Sequence, residues 1–244
     1  MADTKLPPAG PGSGSGGGRS GGPGGPGPGG GPGSAEDRAA EEALFYHEAD
    51  LNAAWTGARL AMGGLSFLFG SFLFAYFYLR ALNSNHLWHP PGPRPQLWLG
   101  TLIMAFIVAS AAGQTLVLQR LKRGGKTTWQ RGGLAALLLG LAAIALQIWQ
   151  LLHLGFWPGS SGFASVFTGF YPVFLTIAFC VMIWLEILLV RALKIPGIAF
   201  VEQPPTYAEA FAVQRFQAAL SAFTAVWNYL AVVGILFWIL FYLL

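Results

Sequence analysis

The feature that most constrains this chain is the spacing of its charges. From Gly132 to Leu185 there is no Lys, Arg, Asp or Glu, and the stretches Leu60–Leu79 and Phe216–Leu244 are equally bare. Charged residues make up 10% of the 244-residue chain and apolar ones 54%, whereas a soluble domain carries about 25% charge. A folded surface in water cannot be covered with so few ions. Five apolar stretches each reach the roughly 20 residues needed to cross a bilayer. They run from about Trp55 to Leu82, Leu97 to Leu118, Gly133 to Leu154, Phe163 to Val190 and Phe216 to Leu244. Lipid offers no partner for backbone N–H and C=O groups, so each span must be helical, and open strands are excluded. The fold class expected is an all-α integral membrane bundle of five transmembrane helices. The first and fourth spans exceed the minimum length and should tilt.

The remaining charges set domains and orientation. Seven of the ten acids fall in the first 50 residues, and five of the fourteen bases fall between Arg120 and Arg131. Residues 1–34 are nearly all Gly, Pro and Ser without a strict three-residue period, which excludes collagen and reads as a disordered tether. Residues 35–54 place Leu44 and Phe45 among acids, the pattern of an interfacial helix. Residues 55–244 form the membrane domain. The loops after spans two and four, with the start of span five, hold eight bases, against Arg80 and Arg94 on the opposite side. Positive-inside bias therefore predicts a cytoplasmic N-terminus. The same bias accounts for the pI of about 9.4, so no nucleic acid partner is implied. A lone Cys180 in an apolar run excludes a disulfide framework and a thiolate zinc site.

Chemistry inside a membrane needs buried polar groups, because a charge at mid-bilayer costs about 2.5–3.5 kcal/mol on insertion scales. The inventory is short. Glu186 is the only acid within a span. It serves either as a proton-relay group or subunit contact, or as an interfacial acid reaching Arg191. Arg59 opens span one as a snorkelling cation. Gln114, Gln147, Gln150 and Asn228 are amides suited to joining helices, and Gln147 and Gln150 share a face. Gly63, Gly64 and Gly70 would admit close helix approach, and Pro172 interrupts span four. His47, His86, His89 and His153 all lie off mid-bilayer, so no haem or copper ligand set is expected on this chain. Phosphate-binding loops and nucleophile elbows are absent from the sequence pattern. Five spans also cannot form the two equal halves usual in transporters.

Several segments taken together resemble a known family. Arg59-Leu60-Ala61-Met62, with Phe74-Ala75-Tyr76-Phe77 and Arg80, is similar to the first helix of subunit III of the haem-copper oxidases in its five-helix form. Gln147-Ile148-Trp149-Gln150 resembles its third-helix motif. The run Ser161-Gly162-Phe163-Ala164-Ser165-Val166-Phe167, then Thr168-Gly169-Phe170, resembles its serine-glycine and threonine-glycine-phenylalanine segment. Trp227-Asn228-Tyr229-Leu230-Ala231-Val232-Val233 resembles its last helix. The departures share one character: Ser66, Gln150, Tyr171, Phe174, Asn228 and Ala231 stand where the family places acids or histidines.

The resemblance implies an accessory, non-redox membrane subunit of a terminal oxidase in aerobic respiratory electron transport, located in a bacterial inner membrane. Its partners would be the catalytic subunit I, subunit II and membrane phospholipid. Haem and copper would belong to the partner, with no catalytic centre, metal or cofactor site on this chain. Arg59, Gln147, Gln150, Asn228 and Glu186 are the candidate interhelical or lipid-facing polar residues. Two alternatives stay open, a nitric oxide reductase accessory subunit and a membrane scaffold no longer tied to an oxidase.

Overall fold

The computed structural model describes residues 35–82, 88, 94–123, 126–194 and 207–244. The expected tether at residues 1–34 lies outside them. Five helices follow in order: α1 (Ala35–Ala81), α2 (Leu97–Leu121), α3 (Lys126–Leu152), α4 (Gly162–Lys194) and α5 (Tyr207–Tyr242). No strand occurs among the described residues. All five helices contain a window apolar and long enough to cross a membrane, so the chain is a multi-pass membrane protein by length and composition. The chain divides into two units, Met1–Glu42 and Ala43–Leu244. The described part of the first is helical, and the bundle belongs to the second.

Residues 35–54 are helical and run on without a break into α1, whose apolar span begins at Leu51. No Gly or Pro occurs between Ala35 and Thr56, and Ala and Glu dominate, so nothing in the segment stops a helix. One expectation needs correction: Pro172 does not interrupt span four. Helix α4 runs through it, with Pro172 exposed. The ring removes one backbone bond, while the Thr176 hydroxyl, one turn on, donates to the Pro172 carbonyl at 2.8 Å.

Helices α2 to α5 form a closed ring: α2 packs on α3 and α5, and α4 packs on the same two. Small residues allow these approaches. A methyl group added at Gly132 would meet Val117, one at Gly140 would meet Met182, and one at Gly234 would meet Met104. Close contact of this kind drives helix association in lipid, where burial of apolar surface gains little. Inside the ring the filling is aromatic. Phe170 stacks on Phe237 at 3.8 Å, and Phe167 meets Phe241 edge-on at 5.1 Å.

Helix α1 joins the ring by a different means. It holds on with large rings rather than backbone proximity: Phe69 lies 5.8 Å from Phe170 and 6.4 Å from Phe237, and Phe72 stands edge-on to Phe170 at 5.8 Å. The Tyr76 hydroxyl donates to the Leu240 carbonyl at 2.8 Å. Gly57, Gly63, Gly64 and Gly70 have open space where a Cβ would project. Gly63, Gly64 and Gly70 therefore do not serve close approach inside this chain. Phe69, Phe72 and Tyr76 face the bundle, while Gly63, Gly64 and Gly70 lie on the outward side beside exposed Phe67 and Phe74.

A cationic cleft and an interhelical polar network

Several polar residues inside the bundle join helices. On α2, Ser110 is fully buried and donates to the Ala136 carbonyl of α3 at 2.7 Å. The Trp227 indole of α5 donates to the same hydroxyl at 3.1 Å. One oxygen thus ties three helices. A turn further along α2, Thr115 meets Asn228 of α5: the Asn228 amide donates to the hydroxyl at 3.0 Å. Near the far end of the ring, Gln147 Nε2 donates to Gln150 Oε1 at 3.1 Å, and Gln150 Nε2 donates to the Tyr242 hydroxyl at 2.6 Å. Tyr242 is also hydrogen-bonded to Tyr171 of α4. The result is a chain of four side chains from three helices. Helix α1 contributes Ser66, whose hydroxyl lies 2.9 Å from that of Tyr229.

The candidate residues divide by place. Gln147, Gln150 and Asn228 lie within this network, the first two buried to 4% exposure. Arg59 is exposed on α1, its guanidinium 5.1 Å from the centre of the Trp55 ring one turn before it. Glu186 is exposed on α4 in a shallow depression shared with Arg191 and Lys194, so it faces away from the bundle interior. His86 and His89 lie outside the described residues. Gln114 is fully buried on α2 with both ends of its amide unpartnered.

Sequence reasoning passed over the hydroxyl-bearing partners Ser110, Thr115 and Tyr242. The available signal was weak but real: each stands in an apolar run where Ala, Val or Phe would cost less to insert. Two of the positions at which ionisable residues had been expected, Gln150 and Tyr171, come together through Tyr242.

The largest cavity described opens at the other end of the molecule, between the start of the α1 span, the end of α4 and the start of α5. It measures about 570 Å³, within the range of small-molecule sites. Ala53, Trp184, Leu188 and Ala219 supply apolar wall, and Arg191, Lys194 and Arg215 supply charge. Among the described residues that line it there is no carboxylate. Local sequence explains the arrangement: α4 ends with Arg191 and Lys194 in its last turn, and Arg215 is the only base in the sequence after Lys194. An apolar cleft rimmed by cations at a helix terminus suits a molecule with an anionic head and an apolar body. Neither a family model nor a curated protein sequence matches this chain.

Proposed function

We propose that this chain is an accessory, non-redox subunit of a haem-copper terminal oxidase, placed in a bacterial inner membrane with the tail on the cytoplasmic side. It packs against the catalytic subunit I and subunit II and holds phospholipid, so supporting the stability of the catalytic subunit and its proton uptake. Haem and copper stay with the partner.

The observation that carries the reading is where the family-like segments fall. Gln147–Gln150 on α3, the Ser161–Phe170 region continuing to Tyr171 on α4, and the last helix α5 converge on a single hydrogen-bonded chain at one end of the ring. Segments that resemble one plan in order also meet in space, which supports reading them as parts of one core. Two further points agree. The polar groups at those sites act as helix connectors, the role a packing subunit requires. The outward face of α1 carries small residues beside exposed Phe67 and Phe74, a surface that a neighbouring transmembrane helix could approach closely. The cationic cleft is the place for the phospholipid.

Deleting the gene and measuring oxygen consumption by isolated membranes tests this. The account expects reduced turnover, or an oxidase that inactivates sooner during sustained turnover, restored by the gene in trans. Unchanged respiration with an unchanged oxidase thermal profile would favour a scaffold independent of the oxidase.

A further inference from the structure

A second cavity, of about 360 Å³, lies at the opposite end of the bundle from the cationic cleft, between the start of α2 and the end of α3. Those helices begin and end their apolar spans at Leu97 and Leu152, so the cavity sits at the boundary between hydrocarbon and headgroups. Its lining joins Arg94, His153 and Gln150 to the apolar surface of Leu99, Trp149 and Phe156, with no carboxylate among the described lining residues.

Each polar group has a definable hydrogen-bonding state. Arg94 is exposed and permanently cationic, with a planar fork of donors suited to phosphate. His153 is fixed twice. Its ring stacks on Trp149 at 4.1 Å and 25°, and its Nδ1 lies 2.9 Å from the Trp149 carbonyl oxygen. A carbonyl only accepts, so Nδ1 carries the hydrogen in that bond. In the neutral ring Nε2 is then a bare acceptor. Gln150 has both ends of its amide engaged, by Gln147 and Tyr242, and closes the floor without offering a free group.

We propose that this cavity binds the headgroup of an anionic, hydroxyl-bearing phospholipid of the phosphatidylglycerol class. The phosphodiester pairs with Arg94, a headgroup hydroxyl donates to His153 Nε2, and the glycerol and first acyl carbons lie on Leu99, Trp149 and Phe156. The chemistry discriminates among candidates. Inorganic phosphate would leave the apolar floor unused and would meet a lone pair at His153. Phosphatidylcholine has no headgroup hydrogen to give Nε2, and its ammonium would lie beside Arg94. The inference is independent of the oxidase reading.

The test uses the full chain in detergent, carrying Arg191→Gln and Lys194→Gln to weaken the cationic cleft. Thermal unfolding is followed while dioctanoyl-phosphatidylglycerol, dioctanoyl-phosphatidylcholine or inorganic phosphate is titrated. Phosphatidylglycerol should raise the midpoint saturably and the other two should not. Arg94→Gln should weaken the apparent affinity about tenfold, the loss of one charge-assisted pair. His153→Phe keeps a stacking ring but removes the acceptor, and should weaken phosphatidylglycerol several-fold. Elution volume and circular dichroism of both variants, matched to the parent, exclude misfolding. An unchanged phosphatidylglycerol affinity in Arg94→Gln would overturn the proposal. So would an equal response to phosphatidylcholine, which would make the site a general lipid groove, or to phosphate, which would make the ligand a free anion.

Discussion

The sharpest single test of the packing account is Tyr242→Phe. The substitution keeps the ring and removes one oxygen. That oxygen accepts the Gln150 amide at 2.6 Å and is hydrogen-bonded to Tyr171. Removing it leaves a buried amide N–H and a buried phenol without that partner. In water-soluble proteins an orphaned buried donor costs about 1–3 kcal/mol. Membrane values are smaller, averaging about 0.6 kcal/mol with a maximum near 1.7, because the unfolded chain in lipid also finds partners. With two partners lost from a dry site, about 1–1.7 kcal/mol is expected for Tyr242→Phe, at the upper end of that range. This corresponds to a roughly 5–20-fold shift of the unfolding equilibrium. Gln150→Met removes the amide while keeping much of the volume. The double variant isolates the direct pair, for which a coupling of about 0.6–1 kcal/mol is expected. The assay is reversible unfolding in mixed micelles with increasing dodecyl sulfate, followed by circular dichroism. A Tyr242→Phe effect below about 0.3 kcal/mol, together with zero coupling, would refute the claim that this chain of side chains holds α3, α4 and α5 together.

Other substitutions probe different parts of the packing. Gln114→Leu should be neutral or stabilising by up to about 2 kcal/mol in the same assay, since both ends of a fully buried amide lack partners; a large loss would mean the amide is satisfied. Gly63→Ala and Gly70→Ala should leave the isolated chain unchanged or stabilise it by up to about 1 kcal/mol, because no atom meets the added methyl, yet both should weaken capture of the oxidase subunits if α1 is the docking face. By contrast Gly132→Val, which drives a branched side chain toward Val117, should cost at least about 1–3 kcal/mol from overpacking. Phe237→Ala removes a ring stacked on Phe170 at 3.8 Å and should cost about 3–5 kcal/mol.

Much of the architecture was legible because the bilayer imposes one rule on every span. Apolar runs of sufficient length, separated by Pro, Gly and clustered bases, give five helices; α2 and α4 lie within a few residues of the limits read from composition, while α3 begins at Lys126 rather than Gly133. What the sequence concealed was direction. Hydropathy does not say which side of an apolar helix meets protein, so Gly63, Gly64 and Gly70 were read as packing positions although α1 turns them outward and packs through Phe69, Phe72 and Tyr76. Residues 35–54 run on into the α1 span because a change from polar to apolar composition need not break a helix. The amides Gln147, Gln150 and Asn228 were found because polar atoms in an apolar run are conspicuous. Their partners Tyr242 and Thr115 were missed because Tyr reads as aromatic and Thr as small. Both cavities are tertiary: Arg94 and His153 are far apart in sequence and meet only because α2 and α3 form a hairpin.

The central claim is that this chain serves a redox partner. The direct measurement is affinity capture of the chain, tagged at its natural abundance and solubilised in a mild detergent, followed by a reduced-minus-oxidised absorption spectrum of the eluate. The account predicts haem bands that co-elute with a large multi-span subunit and stay with that subunit when the two are separated. An eluate with no haem protein, or haem that remains on the isolated chain, would contradict it.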